Sequence, residues 1–275
     1  MRACPVDECY PSLSSQGCCK SFMNNQLAKL KMSASGLARL ARAIDGVAQV
    51  DGDHATAIPA LTLHRRSAVT EPLHCIYGLG LGVIAQGEKQ VLLADAVIDY
   101  TPGQSMLTTI DQPVVSHVRR ASLREPFLGL MLTLDTRHIT QLAAEMEIAR
   151  RAHERAYPSI SVEALDESMV DALVRLIAVL DEPILVSTLA PLIQQEIAIR
   201  LLAGPHGAQL QQLVASGSPN RQIARAVTWL KHNFSQALHV EELAAHAHMS
   251  PSTFRQHFRT ITGTSPLQFQ KQLRL

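Results

Sequence analysis

The 275-residue sequence lacks a strong charge of either sign: 25 Lys and Arg stand against 24 Asp and Glu, a net of +1. Aromatic residues make up 4%, with a single Trp. Four of the five cysteines, Cys4, Cys9, Cys18 and Cys19, crowd the first twenty positions. They form no C-x2-C pair, and adjacent cysteines such as Cys18 and Cys19 rarely ligate one ion, which argues against a zinc site. His54, His64, His74 and His117 occur singly, without the His-x-His pair that many metal-binding barrels use. No Gly-x-Ser-x-Gly elbow or phosphate-binding loop is present, so neither an enzyme nor a cofactor or metal is expected. Gly80-x-Gly82-x-x-Ala85 meets a turn signal, Gln86-Gly87-Glu88, where a dinucleotide site would need a helix, and reads as a glycine-rich strand. No apolar run suits a signal peptide or a spanning helix, so no membrane association and a cytoplasmic location are expected.

The balanced total hides an asymmetry. Residues 221–275 hold seven Lys or Arg against Glu241 and Glu242, a net of +5, which leaves −4 for the first 220 residues. A basic C-terminal module beside a mildly acidic body suits a domain that meets DNA. Within it, Val240, Leu243, Ala244 and Ala247 recur at helical spacing, and Ala247 to Met249 make a turn. Ser250-Pro251 then starts a second helix: the serine hydroxyl can cap a free amide, and proline needs no amide partner in the first turn. Phe254, Phe258 and Ile261 form its buried side. Its outward residues are types that read DNA. Arginine bonds guanine in bidentate fashion, glutamine bonds adenine likewise, and small hydroxyls accept either partner. Ser252, Thr253, Arg255 and Gln256 are the candidates for base edges, and Arg259 and Thr260 for backbone phosphates. Gly263 is placed to cap this helix, and Ser265-Pro266 starts another, with Leu267 and Phe269 as packing residues. Upstream, Ile223, Val227, Leu230 and Phe234 mark one face of a preceding helix.

The string from Arg225 to Leu275 resembles the DNA-binding domain of the AraC/XylS family of transcription regulators. The likeness rests on that preceding helix, Leu243-Ala244, Met249-Ser250, Phe254, Phe258-Arg259 and the Gly263-Thr264-Ser265-Pro266 corner. In that family a long linker helix leads to a second helix-turn-helix unit. This sequence reaches Leu275 within the counterpart of that linker, so one reading unit is expected where the family has two. Half the base contacts, at roughly 1–3 kcal/mol each, would then be missing.

From Ala60 to Leu134 the pattern changes to short apolar runs separated by turn signals at Gln86-Gly87-Glu88, Thr101-Pro102-Gly103 and Asp111-Gln112-Pro113. Such runs indicate a sandwich or small barrel. This passage resembles the cupin-like N-terminal ligand domain of one AraC-type subfamily, through Tyr77, Gly87, Tyr100, Gly103, Pro113 to Val118, Ala121-Ser122, Pro126 and Leu134-Asp135. Small barrels can enclose one ligand. The resemblance therefore implies a small-molecule effector, although spacing alone does not name the lining.

Helical spacing marks Ala34 to Val50 before the barrel and Thr136 to Met146, Ser161 to Leu180 and Leu189 to Leu202 after it. Apolar stripes outside a barrel suit a dimer seam, and in the resembling family this region dimerises; a homodimer is expected. Ala215 to Pro219 reads as a flexible junction. The fold class is α+β: a cupin-like β-barrel with flanking helices, then an all-α helix-turn-helix domain. The division is a tail at 1–33, an effector-binding and dimerisation domain at 34–218, and a DNA-binding domain at 219–275. The expected activity is effector-controlled, sequence-specific binding of double-stranded DNA. The alternative is an interaction protein that pairs with a complete regulator and modulates it without tight DNA binding of its own.

Overall fold

The computed structural model describes residues 35–146 and 155–274. The cysteine-containing tail lies outside them. Helix α1 occupies residues 35–47. Nine strands follow: β1 (Gly52–Ala55), β2 (Leu61–Arg66), β3 (Leu73–Tyr77), β4 (Gly80–Gln86), β5 (Glu88–Leu93), β6 (Ala96–Tyr100), β7 (Gln104–Thr108), β8 (Gln112–Arg120) and β9 (Phe127–Thr133). Helix α2 (Thr136–Glu145) and strand β10 (Ile160–Ala164) come next. The helices α3 (Glu167–Ala178), α4 (Pro183–Ala203), α5 (Gly207–Val214), α6 (Pro219–Asn233), α7 (Val240–His246), α8 (Pro251–Thr262) and α9 (Pro266–Gln272) complete the described chain.

The strands form two antiparallel sheets, one in the order β1-β2-β9-β4-β7-β10 and one in the order β3-β8-β5-β6. They face each other as an open cupin-like barrel. Alternation along each strand assigns the two faces of the larger sheet. Leu61 and Leu63 of β2, Leu81 and Val83 of β4, and Leu128, Leu130 and Leu132 of β9 pack outward on α1 to α5 in one continuous core. Ile84, Met106 and Phe127 point inward to meet Val91, Val114 and Val118 of the smaller sheet.

Three expectations from the sequence change. Ser161 to Leu180 is not one helix: residues 160–164 pair with β7 as β10, and the helix starts after Asp166, whose carboxylate accepts from the Met169 amide. The β-branched and serine residues of Ile160-Ser161-Val162 suit a strand, and Asp166 is a strong N-cap. Second, α4 is long and apolar enough to span a membrane by length and composition alone, with a mean hydropathy of 1.3 over its window. One face, Ile193, Ile197, Ala198 and Leu201, is buried in the core, whereas Leu192, which spacing places on the apolar stripe, is 59% exposed and Ile184, in the first turn, is 91% exposed. Helix α4 is therefore apolar on both faces. Third, the Ala215 to Pro219 junction is packed. Ser218 is buried, donates to the Gln212 carbonyl and accepts from the Arg221 amide, so Ser218-Pro219 caps α6 as Ser250-Pro251 caps α8.

Candidate DNA-reading surface and barrel cavity

Helices α7 and α8 meet at a tight turn in which His248 adopts a left-handed φ of 54°. Leu243 and Ala244 of the first helix and Ala247 at its C-cap are fully buried with Phe254, Phe258 and Ile261 from the second. Phe258 also packs edge-on against Phe269 of α9, their ring centroids 5.4 Å apart. Gly263 closes α8 with φ 77°, and its amide donates to the Arg259 carbonyl. Ser265 and Gln268 then cap α9 reciprocally. Phe234 and Leu267, assigned inward from spacing, are 41% and 53% exposed. Phe234 sits at the end of α6, where its carbonyl accepts from Gln270 and Arg274.

This packing leaves Ser252, Thr253, Arg255, Gln256, Arg259 and Thr260 exposed on one surface of α8. They are not equally free. The Ser250 hydroxyl lies 3.2 Å from that of Ser252 and donates to that of Thr253 at 2.9 Å, so both belong to the cap network. Thr260 donates to the Gln256 carbonyl. Arg255 donates to Glu241 of α7 at 2.8 Å. Among the described residues, the side chains of Gln256 and Arg259 have no polar partner within the chain, which leaves them ready for an external acceptor. In the sequence Glu241 stands out only as a charge; its position one helix earlier makes it a restraint on Arg255.

The C-terminal end of α8 is held by the barrel. The Ser159 amide donates to the Ile261 carbonyl at 2.7 Å, and Gln112 Nε2 donates to the Thr262 carbonyl at 3.3 Å. Gln112 is fully buried, and its Oε1 accepts from the Ser159 hydroxyl at 2.9 Å. Its neighbour Asp111 accepts from Lys231 of α6 at 2.7 Å. Ile110 is 4% exposed and completes the core of the helical domain. Tyr157 and Asn220 exchange two further hydrogen bonds. The sequence offered Asp111-Gln112-Pro113 as turn punctuation; the apolar Ile110 beside it was the available sign of a docked loop.

Between the two sheets lies a cavity of about 380 Å³. Thr62, His64 and Arg66 face it from β2, while Lys89 and Tyr100 face it from the smaller sheet. Asp53 accepts from His64 Nδ1 at 2.8 Å and from Arg66 at 2.6 Å. Burial raises the Asp53 pKa, but these two donors outweigh it and hold the carboxyl below the usual range. Burial depresses the His64 imidazole, with Asp53 opposing and Lys89 and Arg66 assisting. The isolated histidines show no shared metal site: among the described residues no group of three His, Cys, Asp or Glu comes together. Cys75 is a free thiol, 3.5 Å from the Ser116 hydroxyl.

Residues 57–209 match the model of the AraC-type transcriptional regulator N-terminus, and residues 230–271 match that of the AraC-family bacterial regulatory helix-turn-helix proteins. No curated protein sequence matches the chain at a significant level. Solved structures with some likeness include ToxT from Vibrio cholerae, 8% identical over 78% of this chain and 98% of that one, with a TM-score of 0.34. Another is the AraC-like transcriptional activator CuxR, 16% identical over 79% of this chain and 76% of that one, with a TM-score of 0.35. At these scores assignment rests on the sequence matches, which cover the barrel with its helices and the helix-turn-helix separately. The chain belongs to the AraC-type family of DNA-binding transcription regulators.

Proposed function

We propose that this regulator reads a specific DNA sequence through α8, that a small molecule held between the two sheets controls the reading, and that the working form is a homodimer. The observation that carries the proposal is the direct attachment of the reading helix to the cavity-bearing barrel. Tyr77 lines the cavity and is paired in register with Gln112, whose amide reaches the Thr262 carbonyl. A ligand that shifts β3 against β8 therefore acts on the seat of α8 itself. Ser252, Thr253, Arg255 and Gln256 are the proposed base contacts, and Arg259 and Thr260 the phosphate contacts. Structures of ToxT include one with a bound unsaturated fatty acid, which lends a precedent for small-molecule occupancy in this family. The outward apolar face of α4, with Ile184 and Leu192, supports self-association. The same face would also serve a complete regulator as partner, the second reading.

The test is a DNA-binding titration of the full chain with and without a compound selected for raising its melting temperature. A ligand-dependent change in affinity for one duplex over a scrambled control supports the reading. Affinities that are indifferent to every stabilising compound contradict effector control, whatever the duplex preference.

A further inference from the structure

The charges around the barrel cavity do not cancel on its inner wall. Asp53 is shared by Arg66 and His64, and His64 is depressed toward neutrality, so that cluster balances itself. Glu71, the other carboxylate of the lining, is exposed at the rim. Lys89 is half-buried and forms no ion pair among the described residues; its ammonium lies 5.3 Å over the Tyr77 ring. Register sets Lys89 beside Tyr100 on β6 and Val118 on β8, all on the inner face.

Tyr100 adds a second unspent group. Its residue is 4% exposed, and its hydroxyl is buried without a hydrogen-bond partner, the Met106 and Ile84 backbones lying close but outside bonding geometry. Burial pushes the phenol well above its ordinary pKa, so it stays an O–H donor. A buried hydroxyl with no partner costs stability and is a place where a ligand acceptor gains most. Around these two donors the wall is apolar, with the Met106 and Met131 thioethers, Ile84 and Phe127. Thioethers and rings adapt to a compact hydrocarbon body.

We infer that the barrel cavity takes a small organic monoanion, a carboxylate with a compact apolar body, its charge on Lys89 and its second oxygen accepting from Tyr100. This deepens the effector reading above and rests on it. The donors set the class: the uncompensated Lys89 ammonium and the Tyr100 hydroxyl match the two oxygens of a carboxylate, and the cavity volume lies at the small end of ligand pockets.

The experiment measures ligand-induced thermal shifts of the full chain with hexanoate and with phenylpropanoate, each beside its primary amide, and displacement of anilinonaphthalene sulfonate. The acids are expected to stabilise the protein and displace the dye, the amides to do neither. Lys89→Met should weaken acid binding at least about tenfold. Tyr100→Phe gives a signature that a purely structural residue would not: the unliganded protein melts at the same or a higher temperature while the acid-induced shift shrinks. Equal stabilisation by acids and amides, or acid binding unchanged in both variants, overturns the anion assignment and leaves the cavity as an effector site. No stabilisation by any of the four compounds and no dye binding overturns the barrel as an effector site altogether.

Discussion

Gln112, buried at the first position of β8, donates to the carbonyl of Thr262 in the last turn of α8. A barrel residue thus satisfies one of the carbonyls that a helix end leaves unpaired. Gln112→Leu removes that bond and strands the Ser159 hydroxyl, a loss of about 1–3 kcal/mol. The expected outcome is a lower melting temperature with intact DNA affinity in the absence of ligand and a lost response to ligand. Calorimetry and DNA titration together check it.

The faces of α8 predict two separable classes of variant. Phe258→Ala empties the core of the helical domain and is expected to cost about 3–5 kcal/mol, abolishing DNA binding through unfolding. Gln256→Ala leaves the melting temperature unchanged and relaxes discrimination at one base pair by about 1–3 kcal/mol. Arg259→Ala weakens all duplexes alike and lowers the slope of log affinity against log salt by about 1. Circular dichroism separates the first from the other two.

On the proposed reading, Glu241 competes with DNA for Arg255. Substituting Glu241→Gln removes a carboxylate that holds the guanidinium at 2.8 Å, so DNA affinity should rise, and rise more at low salt. Unchanged affinity at every ionic strength would show that Arg255 does not meet DNA.

His206 supplies a pH dependence. It is 3% exposed and bridges Ser105 on β7 and Ser161 on β10, at 2.9 and 3.0 Å. Burial lowers its pKa to about 4 from an ordinary 6.5. The unfolded chain takes up this proton first, so the contribution is complete above pH 6.5 and declines as pH falls toward 4. The span corresponds to roughly 3 kcal/mol. Urea titrations between pH 7 and 4 should show the decline, and His206→Gln should flatten it.

The outward face of α4 predicts assembly. Leu192→Asp places a carboxylate where Leu192 is 59% exposed, so the fold should persist while a dimer dissociates to monomer. Light scattering of wild type and variant reads the mass directly.

The helix-turn-helix was legible because local signals agree there: helical spacing, Ser-Pro caps and a glycine with φ 77° all point to one answer. The barrel's existence was legible from its turn-punctuated runs, but β10 was not. Its residues 160–164 directly precede a true amphipathic helix, and only pairing with β7 decides their state. Ser218-Pro219 carried the same cap signal as Ser250-Pro251, yet the Ala-Ser-Gly run before it reads as linker. A ligand cavity in the barrel was legible from the fold class, but its lining was not, since Tyr77, Lys89 and Tyr100 stand on three strands that only register unites.

The most direct measurement is fluorescence anisotropy of the full chain with the duplex upstream of its own gene and with a scrambled duplex, at two salt concentrations, for wild type and Gln256→Ala. Sequence-specific reading by α8 predicts that the upstream duplex binds more tightly at both salts and that the substitution narrows the gap. Equal binding to both duplexes that collapses with salt would contradict it, leaving only attraction to phosphate.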